Sequence, residues 1–123
     1  LYWIKKINKK KINEFQAQTK LENFRKKNKN YLFPSFDTIS ASGPNGAIIH
    51  YRVNKSSNRI FKKNDIFLCD SGGQYKYGTT DVTRTICFSK PTHYVKNIFR
   101  EHQFKIYHNT VVINSKIFLK RIK

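Results

Sequence analysis

Ile66-Phe67-Leu68-Cys69-Asp70-Ser71-Gly72-Gly73-Gln74-Tyr75, followed after Lys76-Tyr77 by Gly78-Thr79-Thr80-Asp81-Val82-Thr83-Arg84-Thr85, is the stretch on which the fold turns. Four apolar residues, Ile66 to Cys69, read as a strand that ends on Asp70. Ser71-Gly72-Gly73 and Tyr77-Gly78 bracket a bend, and Thr79 to Phe88 is dense in β-branched residues that suit a pleated surface. The pattern predicts a hairpin centred near Tyr75–Lys76, which brings Asp70 close to Asp81, eleven residues further on. Facing side chains across such a ladder have Cβ atoms about 5 Å apart. Two carboxylates that close repel unless one is protonated or a cation sits between them. A pair of divalent ions, roughly 3.5–4 Å apart, would reconcile them. The same spacing also fits a plainer arrangement, in which Asp70 caps the glycine turn and Asp81 is exposed.

Upstream, Phe36 to Ala41 and Ala47 to Val53 are short β-compatible runs separated by the turn signal Gly43-Pro44-Asn45-Gly46. Asn54 to Asn64 reads as a polar loop. His50 falls at the end of the second predicted strand. An imidazole beside a metal site can ligate, or hydrogen-bond a substrate, although a lone histidine after an apolar run is more often structural. The threonines at 79, 80, 83 and 85 are most economically strand formers, and Thr83 is also placed to orient a ligating carboxylate from behind. Arg84 reads either as the partner of a carboxylate or as an exposed strand charge. Gly72 and Gly73 are not a phosphate loop, since no Lys-Ser/Thr follows them.

At the amino end, Leu1 to Ile7 resembles the last turns of a helix, and Lys9, Lys10 and Lys11 form a basic link. Asn13 is the expected N-cap of a helix from Glu14 to Lys27, with Gln16 completing a capping box and Ile12 stapling against Ala17. Ala17, Leu21 and Phe24 share one face, and Arg25 to Asn30 places basic side chains at the negative end of the helix dipole. Beyond Pro91 a second helix is expected, with Tyr94, Ile98 and His102 on one side. Residues 104–123 carry no clear period. A helix, antiparallel strands and a helix give an α+β fold class.

The chain has 123 residues, enough for one modest core. Hydrophobic residues make up 38%, which argues against wholesale disorder. No apolar run is long enough to span a bilayer. The formal charge of +18 raises nucleic acid as a partner, but the excess is thinly spread: +8 over residues 1–30, +4 over 31–90 and +6 over 91–123. Nineteen Lys, twelve Asn and fourteen Ile against three Ala form the skew that an AT-rich genome imposes. Aromatic-interleaved basic motifs of the RNA-binding kind are absent, so neither a nucleic acid nor a membrane partner is expected. Cys69 and Cys87 lack CxxC spacing and read as reduced core cysteines of a cytoplasmic protein.

Four blocks in order, Phe36-Asp37-Thr38-Ile39-Ser40, Gly43-Pro44-Asn45-Gly46-Ala47-Ile48-Ile49-His50-Tyr51, Asp70-Ser71-Gly72-Gly73-Gln74-Tyr75 and Gly78-Thr79-Thr80-Asp81-Val82-Thr83-Arg84-Thr85, strongly resemble aminopeptidase P, a family of pita-bread metallopeptidases. Prolidase and methionine aminopeptidase share the paired aspartates, and the last block favours aminopeptidase P. The resemblance runs from about Glu14 to Phe99. It implies a partial pita-bread fold and an activity that removes an N-terminal residue preceding proline. It further implies Asp70 and Asp81 as metal ligands, Asp81 bridging two ions, with manganese the expected metal. His50 matches the histidine that contacts the substrate near the scissile bond. Peptides with proline in second position are the implied substrates, and a homodimer is the implied assembly.

The family's site also takes a ligating His from a later His-Gly motif and two Glu ligands, which nothing after Phe99 matches. Glu101, His102 and His108 lack the required setting. The expected organisation is therefore residues 1–99 as the N-terminal half of a catalytic domain and residues 100–123 as a divergent, truncated basic tail, inactive alone. The alternative is a non-catalytic remnant or interaction module of the same fold.

Overall fold

The structure is a computed structural model that describes residues 11–108, with side chains through residue 101. The expected helix over Leu1 to Ile7 and the side chains of His102 and His108 lie outside the described residues. In chain order the elements are α1 (Glu14–Lys26), β1 (Tyr31–Phe33), β2 (Ile39–Ser42), a 3₁₀ turn (Gly43–Ala47), β3 (Ile66–Tyr75), β4 (Gly78–Cys87) and α2 (His93–His108).

The start of α1 follows the sequence reading. Asn13 Oδ1 accepts from the Gln16 amide at 2.8 Å and Gln16 Oε1 from the Asn13 amide at 3.0 Å, satisfying two donors that a helix start otherwise leaves open. Arg25 and Lys26 sit in the last turn, where cations oppose the exposed carbonyls.

β3 is the central strand of an antiparallel sheet. One edge pairs along its whole length with β4. The other edge is shared, Phe67 to Asp70 pairing with β2 and Gln74–Tyr75 with β1. Two expectations change here. β3 does not stop at Asp70 but continues through Gly72-Gly73, because neighbours on both edges hold it extended and buried. The run Ala47 to Val53 is not a strand. Pro44 opens a 3₁₀ turn, and Ile48 and Ile49 are exposed rather than paired in a ladder. The first predicted strand shortens to Ile39–Ser42, and β1 was not anticipated.

The pleat divides the apolar residues between two faces. On one face Ala17 of α1 packs with Phe61, Phe67 and Cys69. Ile12 and Leu21 pack against this cluster, whereas Phe24 is exposed. Phe61, Phe67 and Phe88 form an aromatic group with ring centroids 4.8–6.0 Å apart. On the other face Ile39, Ala41, Ile66 and Leu68 pack with Tyr51 and with Ile98 of α2. The buried side of α2 is Val95 and Ile98; Tyr94, placed there by spacing, is exposed. Phe67 and Leu68, each fully buried, contribute about 1.5–3 kcal/mol apiece by leaving water. Both cysteines are free thiols, as expected, and burial pushes the Cys69 thiol up to about 11.

Candidate active site

Asp70 lies on the Ile39–Leu68 face of β3 and is only 6% exposed. Its ladder partner is Thr83, and Asp81 stands opposite Gly72. The expected direct pairing of Asp70 with Asp81 is thereby corrected. The strands turn at Lys76–Tyr77, with Tyr75 opposite Gly78, so the hairpin centre is one residue later than the glycines suggested. A shift of one in the centre moves every partner by two, which preserves the face. Asp70 and Asp81 therefore share a face as diagonal neighbours, a relation with about 7–8 Å between backbones.

Thr83 Oγ1 donates to Asp70 Oδ1 at 2.7 Å, the bond that a carboxylate-orienting threonine would make. Arg84 is exposed and turns back to the Thr83 carbonyl at 2.9 Å. Gly72, between the two acids on their face, has no room for a side chain. A Cβ there would lie 2.0 Å from the Thr80 carbonyl oxygen, 2.2 Å from Ser35 Oγ and 2.8 Å from the Phe36 ring.

Phe36, Ile39, His50, Asp70 and Asp81 line one concavity of about 350 Å³, with the exposed ion pair of Arg52 and Asp37. All three residues singled out by sequence thus border the same space. His50 reaches it from a turn rather than a strand end, with a left-handed backbone at φ 53°. Asp37 and Arg52 are far apart in sequence, and no local pattern pointed to their pairing. Exposed pairs of this kind contribute about 0–1 kcal/mol. A larger cavity of about 480 Å³ lies beyond the other end of β3, between Gly43, Ile66, Cys87 and Val95. Its acid, Asp65, already accepts from Ser42 Oγ at 2.7 Å and the Lys62 amide at 3.1 Å.

The donors in the smaller concavity are carboxylate oxygens, which suit hard divalent ions such as manganese or magnesium, and neither cysteine lines it. They fit part of such a site. Among the described residues no group of three or more His, Cys, Asp or Glu side chains is arranged to hold an ion.

The profile of metallopeptidase family M24 matches residues 1–111. The chain belongs to this family. It is 45% identical over 118 residues to a probable Xaa-Pro aminopeptidase P of Phaeosphaeria nodorum, covering 95% of this chain and 17% of that protein. Against the Xaa-Pro aminopeptidase ApepP of Drosophila melanogaster it is 42% identical over 112 residues, 91% of this chain and 18% of the relative. The crystal structure of X-prolyl aminopeptidase from Caenorhabditis elegans, described as a cytosolic enzyme with a di-nuclear active site, superposes with a TM-score of 0.70 at 37% identity. That match covers 79% of this chain and 16% of the worm protein. The M24 chain thus spans less than a fifth of the length of these relatives, and its α+β sheet is part of the pita-bread fold.

Proposed function

We propose that this M24 chain is part of a metal-dependent aminopeptidase that releases the N-terminal residue preceding proline. The observation that carries the reading is the convergence of Asp70, Asp81 and His50 on one concavity in a chain of this family. Asp70 and Asp81 are the carboxylates that would hold the ions. Two bound divalent ions, manganese in this reading, would activate a water and polarise the carbonyl before proline. Thr83 keeps the Asp70 carboxylate aimed by donating to one of its oxygens. His50 hydrogen-bonds the substrate near the scissile bond.

Residues 1–99 are the front of the catalytic domain and residues 100–123 a divergent tail, although the family match extends to residue 111. Peptides with proline in second position are the substrates, and the complete enzyme acts in the cytoplasm as a homodimer, without a nucleic-acid or membrane partner. Among the described residues no helix is long and apolar enough to cross a membrane.

The Drosophila relative, changed at the positions that align with His50 and Asp81, tests the site. His→Ala is expected to leave metal content near normal while turnover falls roughly 10²–10⁴-fold. Asp→Ala is expected to empty the site. Loss of metal in the histidine variant would make His50 a ligand, and unchanged turnover would remove it from the chemistry.

A further inference from the structure

Glu14 opens α1, yet its side chain is 0% exposed. Its carboxylate accepts from the Ser42 amide at 2.6 Å, from Asn45 Nδ2 at 3.0 and 3.1 Å, from the Tyr51 hydroxyl at 2.7 Å and from the Arg59 amide at 3.0 Å. Buried carboxylates persist only when satisfied in this way. Ser42 precedes the 3₁₀ turn, Asn45 lies inside it and Tyr51 directly follows His50. Asn45 Nδ2 also donates to the Tyr51 oxygen at 2.9 Å, which closes a ring of bonds around the segment.

His50 has a left-handed backbone, a conformation in which a residue with a Cβ persists only when its surroundings impose it. The ring itself is exposed and makes no hydrogen bond among the described residues, so the backbone decides where it stands. Burial, reinforced by the Glu14 carboxylate beside it, pushes the Tyr51 phenol up to about 12, so it stays a donor at neutral pH.

We infer that Glu14 and Tyr51 form a clamp that fixes the turn Gly43–Tyr51 and thereby aims His50 into the concavity of Asp70 and Asp81. They are positioning residues, and the Ser40 hydroxyl, which donates to the Glu14 carbonyl at 2.8 Å, ties the same helix start to β2. The functional weight of this clamp rests on the proposed role of His50; its structural part does not.

NMR on the full 123-residue chain tests it. Tyr51→Phe keeps the buried ring and removes only the hydroxyl, and Glu14→Gln keeps the shape and removes the charge. With the amide spectra of α1, β3 and β4 preserved, both variants are expected to lose the strong intraresidue amide–Hα contact by which His50 reports its positive φ. Adding Mn²⁺ to the unchanged protein should broaden the His50 ring signals together with Asp70 and Asp81. In the variants the broadening of His50 should fall several-fold relative to the aspartates. Persistence of the positive φ and of the broadening in folded Tyr51→Phe overturns the clamp. So does global unfolding of that variant, because the hydroxyl would then serve the whole fold rather than this turn. If Mn²⁺ broadens the aspartates but never the ring in the unchanged protein, the proposed role of His50 fails, while the φ measurement still judges the clamp.

Discussion

Thr83 can be asked for one thing at a time, because its γ-oxygen meets Asp70 at 2.7 Å while its methyl group occupies the strand surface like that of valine. Thr83→Val removes the bond and keeps the β-branch, so the sheet should be little affected. Losing the partner that orients a ligating carboxylate typically weakens metal binding by about 10–100-fold. Electron paramagnetic resonance of free Mn²⁺ in a titration of the chain is expected to show a loss in that range, and an unchanged affinity would leave Thr83 a strand former only. The sequence allowed either role for Thr83, but the register it suggested set Asp81 rather than Thr83 opposite Asp70, so the contact itself emerged only with the observed pairing. Glu14 shows a stricter limit. Its sequence neighbours mark only a helix start, and every partner of its carboxylate lies 28 to 45 residues away. A network closed by tertiary folding leaves no local pattern to read.

β3 shows where element-level reasoning holds and where it slips. The apolar run Ile66 to Cys69 and the β-branched run after Gly78 identified both strands and the hairpin, because burial and propensity agree there. Gly72-Gly73 suggested an early turn, but their role is close approach. Gly73 sits against the rings of Tyr31 and Tyr75, and Gly72 against Thr80, Ser35 and Phe36. Turn signal and packing signal use the same residue, and only the partners across the sheet distinguish them. The run Ala47 to Val53 misled for a related reason: its apolar residues have β propensity, yet Tyr51 is buried in the core with Ala47 and Val53 packed against it, while Ile48 and Ile49 face outward. Gly72→Ala is the test at this scale. A methyl 2.0 Å from a backbone oxygen cannot be absorbed by a side-chain rotation alone, and overpacking of this kind costs about 1–3 kcal/mol or more. Urea denaturation should show a lower midpoint by a corresponding amount, with a smaller loss for Gly78→Ala, where a Cβ meets nothing within 4 Å. Equal midpoints for Gly72→Ala and the unchanged chain would show that β3 has room the geometry does not provide.

Across the whole molecule, the sheet carries an apolar core on each face, and the candidate site lies where one of them gives way to polar residues. Along β3 that face runs Ile66, Leu68, Asp70, Gly72, so that core and site are consecutive stations on one strand. The arrangement lets the core fix the positions of Asp70 and Asp81 through the ladder, and the one further acid among the described residues that lines the concavity, Asp37, is paired with Arg52. A six-coordinate ion of the manganese kind takes six oxygen or nitrogen donors, and two ions that share a water need most of theirs from protein. The concavity here offers two proposed carboxylate ligands, with His50 assigned to the substrate rather than to the metal, and the family resemblance adds a histidine and two glutamates that this chain does not match. The 123-residue chain with Mn²⁺ is therefore expected to release no arginine from Arg-Pro-Pro above the level of Mn²⁺ in buffer, even while it binds the ion weakly through Asp70 and Asp81. Chromatographic detection of free arginine, followed across successive purification steps, decides the matter. Metal-dependent release that tracks the protein and disappears in Asp81→Ala would mean that this part of the sheet assembles a working centre without the further histidine and glutamate ligands.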